Sequence, residues 1–339
     1  MYDISVVIPT YKRPMLLLNC IRKLENQTVS TEKFEVLVVT DGYDEVTHKV
    51  INDYRKSSAL NLICYSTKEK KGPAAARNLG WQLAKSKVVA FTDDDCLPEC
   101  DWLEVYVTKV KELMMASDIS GSKSEMNEKP IALSGFTKVP IDENPTDFAL
   151  NTHGLQYADF ITANCACTVS ALKATGGFDE RYGTAWREDS DLEFSFLKNN
   201  IPVIKVLEAV VVHPVREAPW GISIKEQKKG LYDALLYKKF PELYRERLSP
   251  KIIFDFYFIV LAGLVCLVAL LFGWWYIAGV TFLTVLIMIS AFFMKRIKET
   301  RKSYNHILEM LVTSSVIPFL SVFWRLYGSL KFRVMFFIF

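Results

Sequence analysis

Val88-Val89-Ala90-Phe91-Thr92-Asp93-Asp94-Asp95-Cys96-Leu97-Pro98 sets a short apolar run directly before three carboxylates. The run is β-branched and aromatic, so it reads as a buried strand. The acids then fall at the strand's carboxyl end, where open α/β sheets bind ligands. Adjacent carboxylates repel one another unless a cation or hydrogen-bond donors hold them. A hard divalent cation is the natural partner, and Mg²⁺ commonly brings substrate phosphates with it. A solvated acidic turn is the alternative reading, and the surrounding chain has to decide between them.

Upstream, strand and helix signals alternate. Residues 4–9 (ISVVIP) form a first buried strand, and Pro14 suits the first turn of a helix running to about Asn26. FEVLVVT (34–40) is a second strand ending in Asp41-Gly42, followed by a helix over 45–56 and a third strand over 60–66. Gly72-Pro73 opens a small-residue helix, AAARNLGWQLA, before the Val88 strand. This alternation predicts a parallel, right-handed α/β sheet. Each strand end delivers polar groups to one rim: Thr10 and Tyr11, Asp41, the Gly72–Asn78 segment, then the triple Asp. A Gly- and Ala-rich helix start lets backbone N–H groups approach an anion. Arg77 offers a fork for a phosphate or ribose oxygen, or else an ordinary surface ion pair.

The 339 residues are enough for one large or two ordinary domains, and the net charge of +3 leaves no nucleic-acid footprint. Seven scattered cysteines (20, 64, 96, 100, 165, 167, 266) suit free thiols in a reducing compartment, and their spacing supports no closed four-ligand zinc site. The start, MYDISVVIPTY, has no basic n-region and no long apolar core, so no signal peptide is expected and the first domain should stay in the cytosol.

Downstream, a helix containing Trp102 packs on the sheet, and residues 119–124 are a strand candidate. Residues 125–160 lack a clean period and read as a loop region. NCACT (164–168) is a strand, and a short helix over 170–175 is stopped by Gly176-Gly177. A further helix opens near Glu188 with acids in its first turn, which the helix dipole favours by itself. Trp186 beside it suits either an apolar platform or core packing. Strands over 201–206 and 209–212 end in His213, a position where a lone histidine is more often structural than a ligand.

The ordered segments VVIPTYKRP, EVLVVTDG, GPAAARNLGW and FTDDDC resemble the family 2 glycosyltransferases. The resemblance spans about residues 3–216 and implies a GT-A fold, a Rossmann-like mixed sheet flanked by helices. It implies that Pro9, Thr10 and Tyr11 line the base and ribose site and that Asp41 contacts the base. Thr40 stands where the family usually has another acid. Arg77, Asp93 and Asp94 join the donor-binding set, Asp94 being the middle residue of the Asp-x-Asp motif. Asp95, with Asp93 and His213, is then the expected holder of Mg²⁺ or Mn²⁺. GGFDERYGTAWREDSDLEFSFL resembles the family's acceptor-side motif, which implies Asp189 as catalytic base with Glu188 and Trp186 at the acceptor. The implied reaction is inverting transfer from a nucleotide-diphospho-sugar, uridine being the family's commonest base, to a lipid-linked or glycan acceptor. The rival classes are a sugar nucleotidyltransferase, which needs neither the Glu188-Asp189 segment nor a membrane hairpin, and a membrane-tethered sugar-nucleotide binder without catalysis.

The domain expected over 1–220 gives way to a basic, aromatic-interleaved segment over 221–251 that fits an anionic membrane face. Two apolar runs follow within 252–294, each long enough to span about 30 Å, with Trp274, Trp275 and Tyr276 between them. Lys295, Arg296, Lys298, Arg301 and Lys302 then make both open ends of this hairpin basic. The positive-inside rule puts those ends, and the catalytic domain, on the cytosolic side of a cell membrane. The 295–339 segment carries Glu309 and Pro318 and is expected to hold, over 307–324, an interfacial amphipathic helix or else a third span.

Overall fold

The computed structural model describes residues 2–118, 129–248 and 253–336 of the chain. Its contacts divide it into two units, residues 1–140 with 154–215, and residues 141–153 with 216–339.

In the first unit β1 (Ile4–Thr10), α1 (Pro14–Glu25), β2 (Phe34–Thr40), α2 (Glu45–Arg55), β3 (Asn61–Ser66), α3 (Pro73–Leu83) and β4 (Val88–Thr92) alternate. There follow β5 (Leu97–Pro98), α4 (Trp102–Asp118) and β6 (Ala132–Lys138), then, past α5 (Asp147–His153) of the second unit, β7 (Asn164–Thr168), α6 (Val169–Thr175), α7 (Glu188–Lys198) and β8 (Val203–Val212). Among the described residues these strands form one sheet in the order β3-β2-β1-β4-β7-β6-β8-β5. The first four positions are parallel as the alternation predicts, and β7 enters antiparallel to both β4 and β6, so the sheet is mixed.

Both faces of the sheet are covered, which is why its central strands are continuous apolar runs. Ile4, Val6 and Ile8 of β1, with Val88 and Ala90 of β4, pack with α1 and α4 residues such as Leu17, Trp102 and Leu103. Val7, Val89 and Phe91 point the other way, toward Trp81, Leu172, Leu192 and Phe196. The two-residue period of a strand thus divides one run between two cores. α3 sits close on the sheet because Gly80 has no Cβ, which would collide with the Val7 side chain.

The structure corrects two expectations. Residues 129–160 are not a loop: they hold β6, α5 and a 3₁₀ turn at Gly154–Tyr157. β6 was illegible because its stability comes from its neighbours β7 and β8, and partner packing outweighs local preference in a strand. The two strands expected at 201–206 and 209–212 are one strand, β8. Its register with β6 jumps from Gly135↔Val206 to Phe136↔Val210, a bulge that falls where the sequence reading placed a break. The strand expected at 119–124 lies outside the described residues.

Asn164 saturates this irregular region. Its Oδ1 accepts from Trp102 Nε1 at 2.8 Å and from the Tyr106 hydroxyl at 2.7 Å. Its Nδ2 donates to the carbonyls of Phe136 at 2.9 Å and Ala209 at 2.8 Å. Four bonds meet the full capacity of a buried amide.

In the second unit α8 (Ile222–Glu226), α9 (Leu231–Lys239) and α10 (Pro241–Leu248) precede α11 (Ile253–Leu271), α12 (Trp275–Ile297) and α13 (Tyr304–Phe332). These last three are, among the described residues, the helices long and apolar enough to cross a membrane. Gly273, at φ 72°, turns α11 into α12. Leu264, Leu267, Leu271, Val280 and Leu283 in the far half of this hairpin are exposed, a surface that water does not stabilise. α13 runs longer than the stretch read from sequence and meets the near half, with Ile317 and Val322 against Phe256, Ile259, Met288 and Phe292. Arg296 closes the base of α12: its guanidinium donates to Asp147 at 2.6 Å, Thr313 at 2.7 Å, Ser314 at 3.1 Å and Ser223 at 3.2 Å. One cation thereby joins α5, α8, α12 and α13, at a helix C-terminus where positive charge is favoured.

Asn164→Ala should lower unfolding stability by about 3 kcal/mol, because it strands two carbonyls and two ring donors at once. Urea unfolding of the detergent-solubilised chain, followed by near-UV circular dichroism, reads this; an unchanged midpoint would show the network to be dispensable.

Candidate active site

The parallel register aligns Thr10, Thr40 and Ser66 at one rim. Asp41 immediately follows β2, and Asp93 immediately follows β4. The three aspartates after β4 are held in three different ways. Asp93 Oδ1 accepts from Arg77 Nη2 at 2.6 Å, with 26% of its side chain exposed. Asp94 turns inward, where its Oδ2 accepts from the Thr10 hydroxyl at 2.6 Å and its Oδ1 lies 2.8 Å from Arg13 Nη2. Asp95 lies between two partners, Oδ2 at 3.4 Å from Arg13 Nη1 and Oδ1 at 3.8 Å from His213 Nε2. Burial lifts the Asp94 carboxyl to about 7, with Arg13 and the Thr10 hydroxyl opposing. Burial also acts to raise Asp93, but Arg77, His213 and Arg13 outweigh it and leave that carboxyl below its usual range.

Arg77, read from sequence as a fork for a phosphate or ribose oxygen, is 2% exposed, and its guanidinium lies between two carboxylates. Besides Asp93 it donates through Nη1 to Glu188 Oε1 at 3.2 Å. One buried cation therefore joins the end of β4 to the first turn of α7. Glu188 is lifted to about 7, first by burial and then by the charge of Asp189, with Arg77 opposing. Asp189 is also raised by burial, against the Ser190 N–H and Arg187. That N–H reaches Asp189 Oδ1 at 2.6 Å. Trp186 is 39% exposed and carries the Arg187 guanidinium over its ring at 4.9 Å. The Tyr182 hydroxyl, bonded to Asp191 at 3.0 Å, ties the preceding loop to α7.

On the other flank, Pro9 and Thr10 are buried, and of that trio Tyr11 offers the exposed surface, at 38%. Lys70 Nζ lies 3.8 Å from the centre of its ring. Asp41 accepts from the backbone N–H groups of Lys71 at 2.7 Å and Gly72 at 2.9 Å, and so fixes the loop that opens α3. Thr40, where an acid was expected from the resemblance, shares a hydrogen bond with Ser66 at 2.7 Å. Gly72 has φ 104°, and a Cβ there would lie 2.7 Å from the Gly183 backbone, so the two loops meet without a side chain between them.

Sequence reasoning missed two residues. Arg13 neutralises Asp94 and Asp95 from within the KRP segment. Asn78 clamps the 178–180 turn through Phe178 O at 2.8 Å, Phe178 N at 2.9 Å and Glu180 Oε1 at 3.0 Å. Its signal was a polar side chain on the buried face of a small-residue helix.

The donor set suits a divalent ion. Asp95 and His213 face each other, and His213 Nδ1 is buried without a hydrogen-bond partner. Asp93 is partly exposed and close enough to feel the charge of His213, while its Oδ1 is taken by Arg77, so the facing carboxylate and imidazole are those of Asp95 and His213.

Glu188→Gln tests the buried pair. A carboxyl raised in the folded state favours folding at low pH, and that contribution is lost as pH rises through its folded value. The melting temperature of the variant relative to the parent should therefore shift in the variant's favour between about pH 5 and about pH 8. A constant difference would mean that Glu188 does not change charge in that window.

Residues 5–163 match the family model Glycosyl transferase family 2. A poly(ribitol-phosphate) beta-glucosyltransferase of Bacillus spizizenii is 33% identical over 176 residues, 50% of this chain and 27% of the relative. The chain spans well under two thirds of the length of the curated relatives it matches. The fold is shared with the mannosyltransferase PcManGT from Pyrobaculum calidifontis, solved with GDP-Man and Mn²⁺, at TM-score 0.55 and 15% identity over 96% of this chain and 87% of that one. It is shared also with residues 1–349 of S. aureus TarS, solved with UDP-GlcNAc, at TM-score 0.51 and 17% identity over 94% and 90%. Over residues 5–163 the chain matches the family 2 glycosyltransferases, and its first unit shares the GT-A-like fold of these structures.

Proposed function

We propose that the chain is an inverting, metal-dependent glycosyltransferase that moves a sugar from a nucleotide-diphospho-sugar to a hydroxyl acceptor at the cytosolic face of a membrane. The observation that carries this reading is Arg77 held between Asp93 and Glu188, because it brings the donor-side acids and the acceptor-side pair to one rim.

The donor lies across the strand ends, its base near Tyr11 and Asp41 and its diphosphate toward Asp93, Asp95 and His213. Asp41 preforms the Lys71–Gly72 loop, whose remaining backbone groups border the donor. A divalent ion held by Asp95, Asp93 and His213, Mg²⁺ or Mn²⁺, supplies charge neutralisation of the departing diphosphate when bound. Asp94 supports the motif from beneath through Thr10 and Arg13.

On the acceptor side Glu188 is committed to Arg77, while Asp189 is half-buried with one oxygen fixed by Ser190. Its raised carboxyl is a better base than a free aspartate, so it takes the acceptor hydroxyl proton as the oxygen attacks the anomeric carbon. A single displacement from the face opposite the diphosphate inverts that carbon. Trp186 presents a flat apolar face to a sugar ring. The apolar hairpin of α11 and α12, flanked by Lys295, Arg296 and Lys298, holds the enzyme at the bilayer where a lipid-linked or growing-glycan acceptor is found. α13 meets the near half of the hairpin and is itself long and apolar enough to join it in the bilayer.

A thermal-shift screen of nucleotide-sugars with Mn²⁺ or Mg²⁺, followed by turnover with membrane lipid extract, identifies the donor. Asp189→Asn should retain metal-dependent donor stabilisation and lose ~10²–10⁴-fold in transfer rate. Parental transfer by that variant would remove Asp189 as the base, and release of pyrophosphate from a nucleoside triphosphate and a sugar phosphate would replace the transferase reading.

A further inference from the structure

The residue after the three aspartates brings a donor of another kind. β5 pairs antiparallel with β8 through Leu97↔Val212 and Pro98↔Val211. Continuing that register by one step sets Cys96 opposite His213. A carboxylate oxygen of Asp95, Cys96 Sγ and a ring nitrogen of His213 all lie within 4.8 Å of one another, and all three residues are buried. His213 Nδ1 is the buried polar atom without a partner there, and Nε2 faces Asp95. The Cys96 N–H bonds to Asp93 O at 3.1 Å, a tight turn that fixes where residues 95 and 96 point. Metal–sulfur and metal–nitrogen bonds of about 2.3 Å and about 2.0 Å separate tetrahedral ligand atoms by roughly 3.5 Å, so closure needs shifts of about 1 Å. Small side-chain rotations supply that. Packing against Trp102 and Leu103 explains why a small apolar side chain fits at 96, but not why a carboxylate and an imidazole converge on the same point.

We propose that Asp95, Cys96 and His213 form a three-ligand site for a borderline-soft divalent ion, Zn²⁺ foremost, and that Cys96 is what selects it over Mg²⁺ and Mn²⁺. The inference rests on the reading that Asp95 and His213 hold a divalent ion. Hard ions gain little from a thiol, whereas Zn²⁺ takes sulfur, nitrogen and oxygen ligands together. The thiol proton passes to solvent as the sulfur–metal bond forms. With its ligands drawn from the same set, Zn²⁺ excludes the hard ion and opposes transfer, which makes the site a metal-specific brake.

Co²⁺ serves as the spectroscopic probe on the full chain in detergent. The parent should show a near-ultraviolet thiolate-to-cobalt band that Zn²⁺ abolishes and Mg²⁺ does not. Cys96→Ser should lose that band and bind Zn²⁺ at least about tenfold more weakly, while keeping Mn²⁺-dependent stabilisation by nucleotide. A cobalt spectrum unchanged by Cys96→Ser would overturn the proposal. X-ray absorption of the zinc-loaded parent provides a check that needs no variant: one sulfur at about 2.3 Å supports the site, and a shell of oxygen and nitrogen alone overturns it. A sulfur band in a parent that gains no stability from Mn²⁺ and nucleotide would leave this site standing and remove the hard-ion reading instead.

Discussion

The site depends on one buried guanidinium. Arg77 cannot be hydrated where it sits, so its charge is sustained by Asp93 and Glu188, and they in turn are sustained by it. Taking one partner away from such a group strands a charge in a poorly solvated place, typically a loss of 3–5 kcal/mol. The helix that carries Arg77 is built for this depth. Alanines at 74–76 and the bare Gly80 bring α3 close to β1, which puts the guanidinium at the level of the strand ends. Helix packing, sheet register and chemistry are thus joined through one side chain.

The same neighbourhood carries an excess of negative charge. Asp93, Asp94, Asp95, Glu188 and Asp189 gather there, against Arg13 and Arg77 within and Arg187 at the edge. Two of the carboxyls, Asp94 and Glu188, are lifted to about 7, by burial first and by the neighbouring carboxylates after it. Such an arrangement suits a multivalent cation, whose own charge would then be the largest local term. Arg296 in the second unit presents the opposite balance. There a single cation is surrounded by one carboxylate and three hydroxyls, a closed and satisfied node suited to holding helices together.

Legibility in the sequence followed the origin of each element's stability. β1, β2 and β4 were readable because burial on both faces writes them as unbroken apolar runs. β6 was not, since ALSGFTK carries a glycine at its bulge and takes its order from β7 and β8. The acids of the site could be read as carboxylates at strand and helix termini, but not their partners. Arg13 meets Asp94 and Asp95 across more than 80 positions, and a basic residue in a Lys-Arg-Pro turn resembles any solvated loop. The approach of His213 to Cys96 is set by the two-residue strand β5, too short to leave a pattern.

The meeting of Gly72 with Gly183 has a consequence for how the site can vary. Two loops that touch through bare backbone share one clearance, with no side chain whose trimming or growth could adjust it. Any bulk introduced at residue 72 is transmitted as a displacement of the 183 loop, and so of the turn that leads into Glu188 and Asp189. The two loops therefore behave as a mated pair, and diversification of one must be accommodated at positions away from this seam.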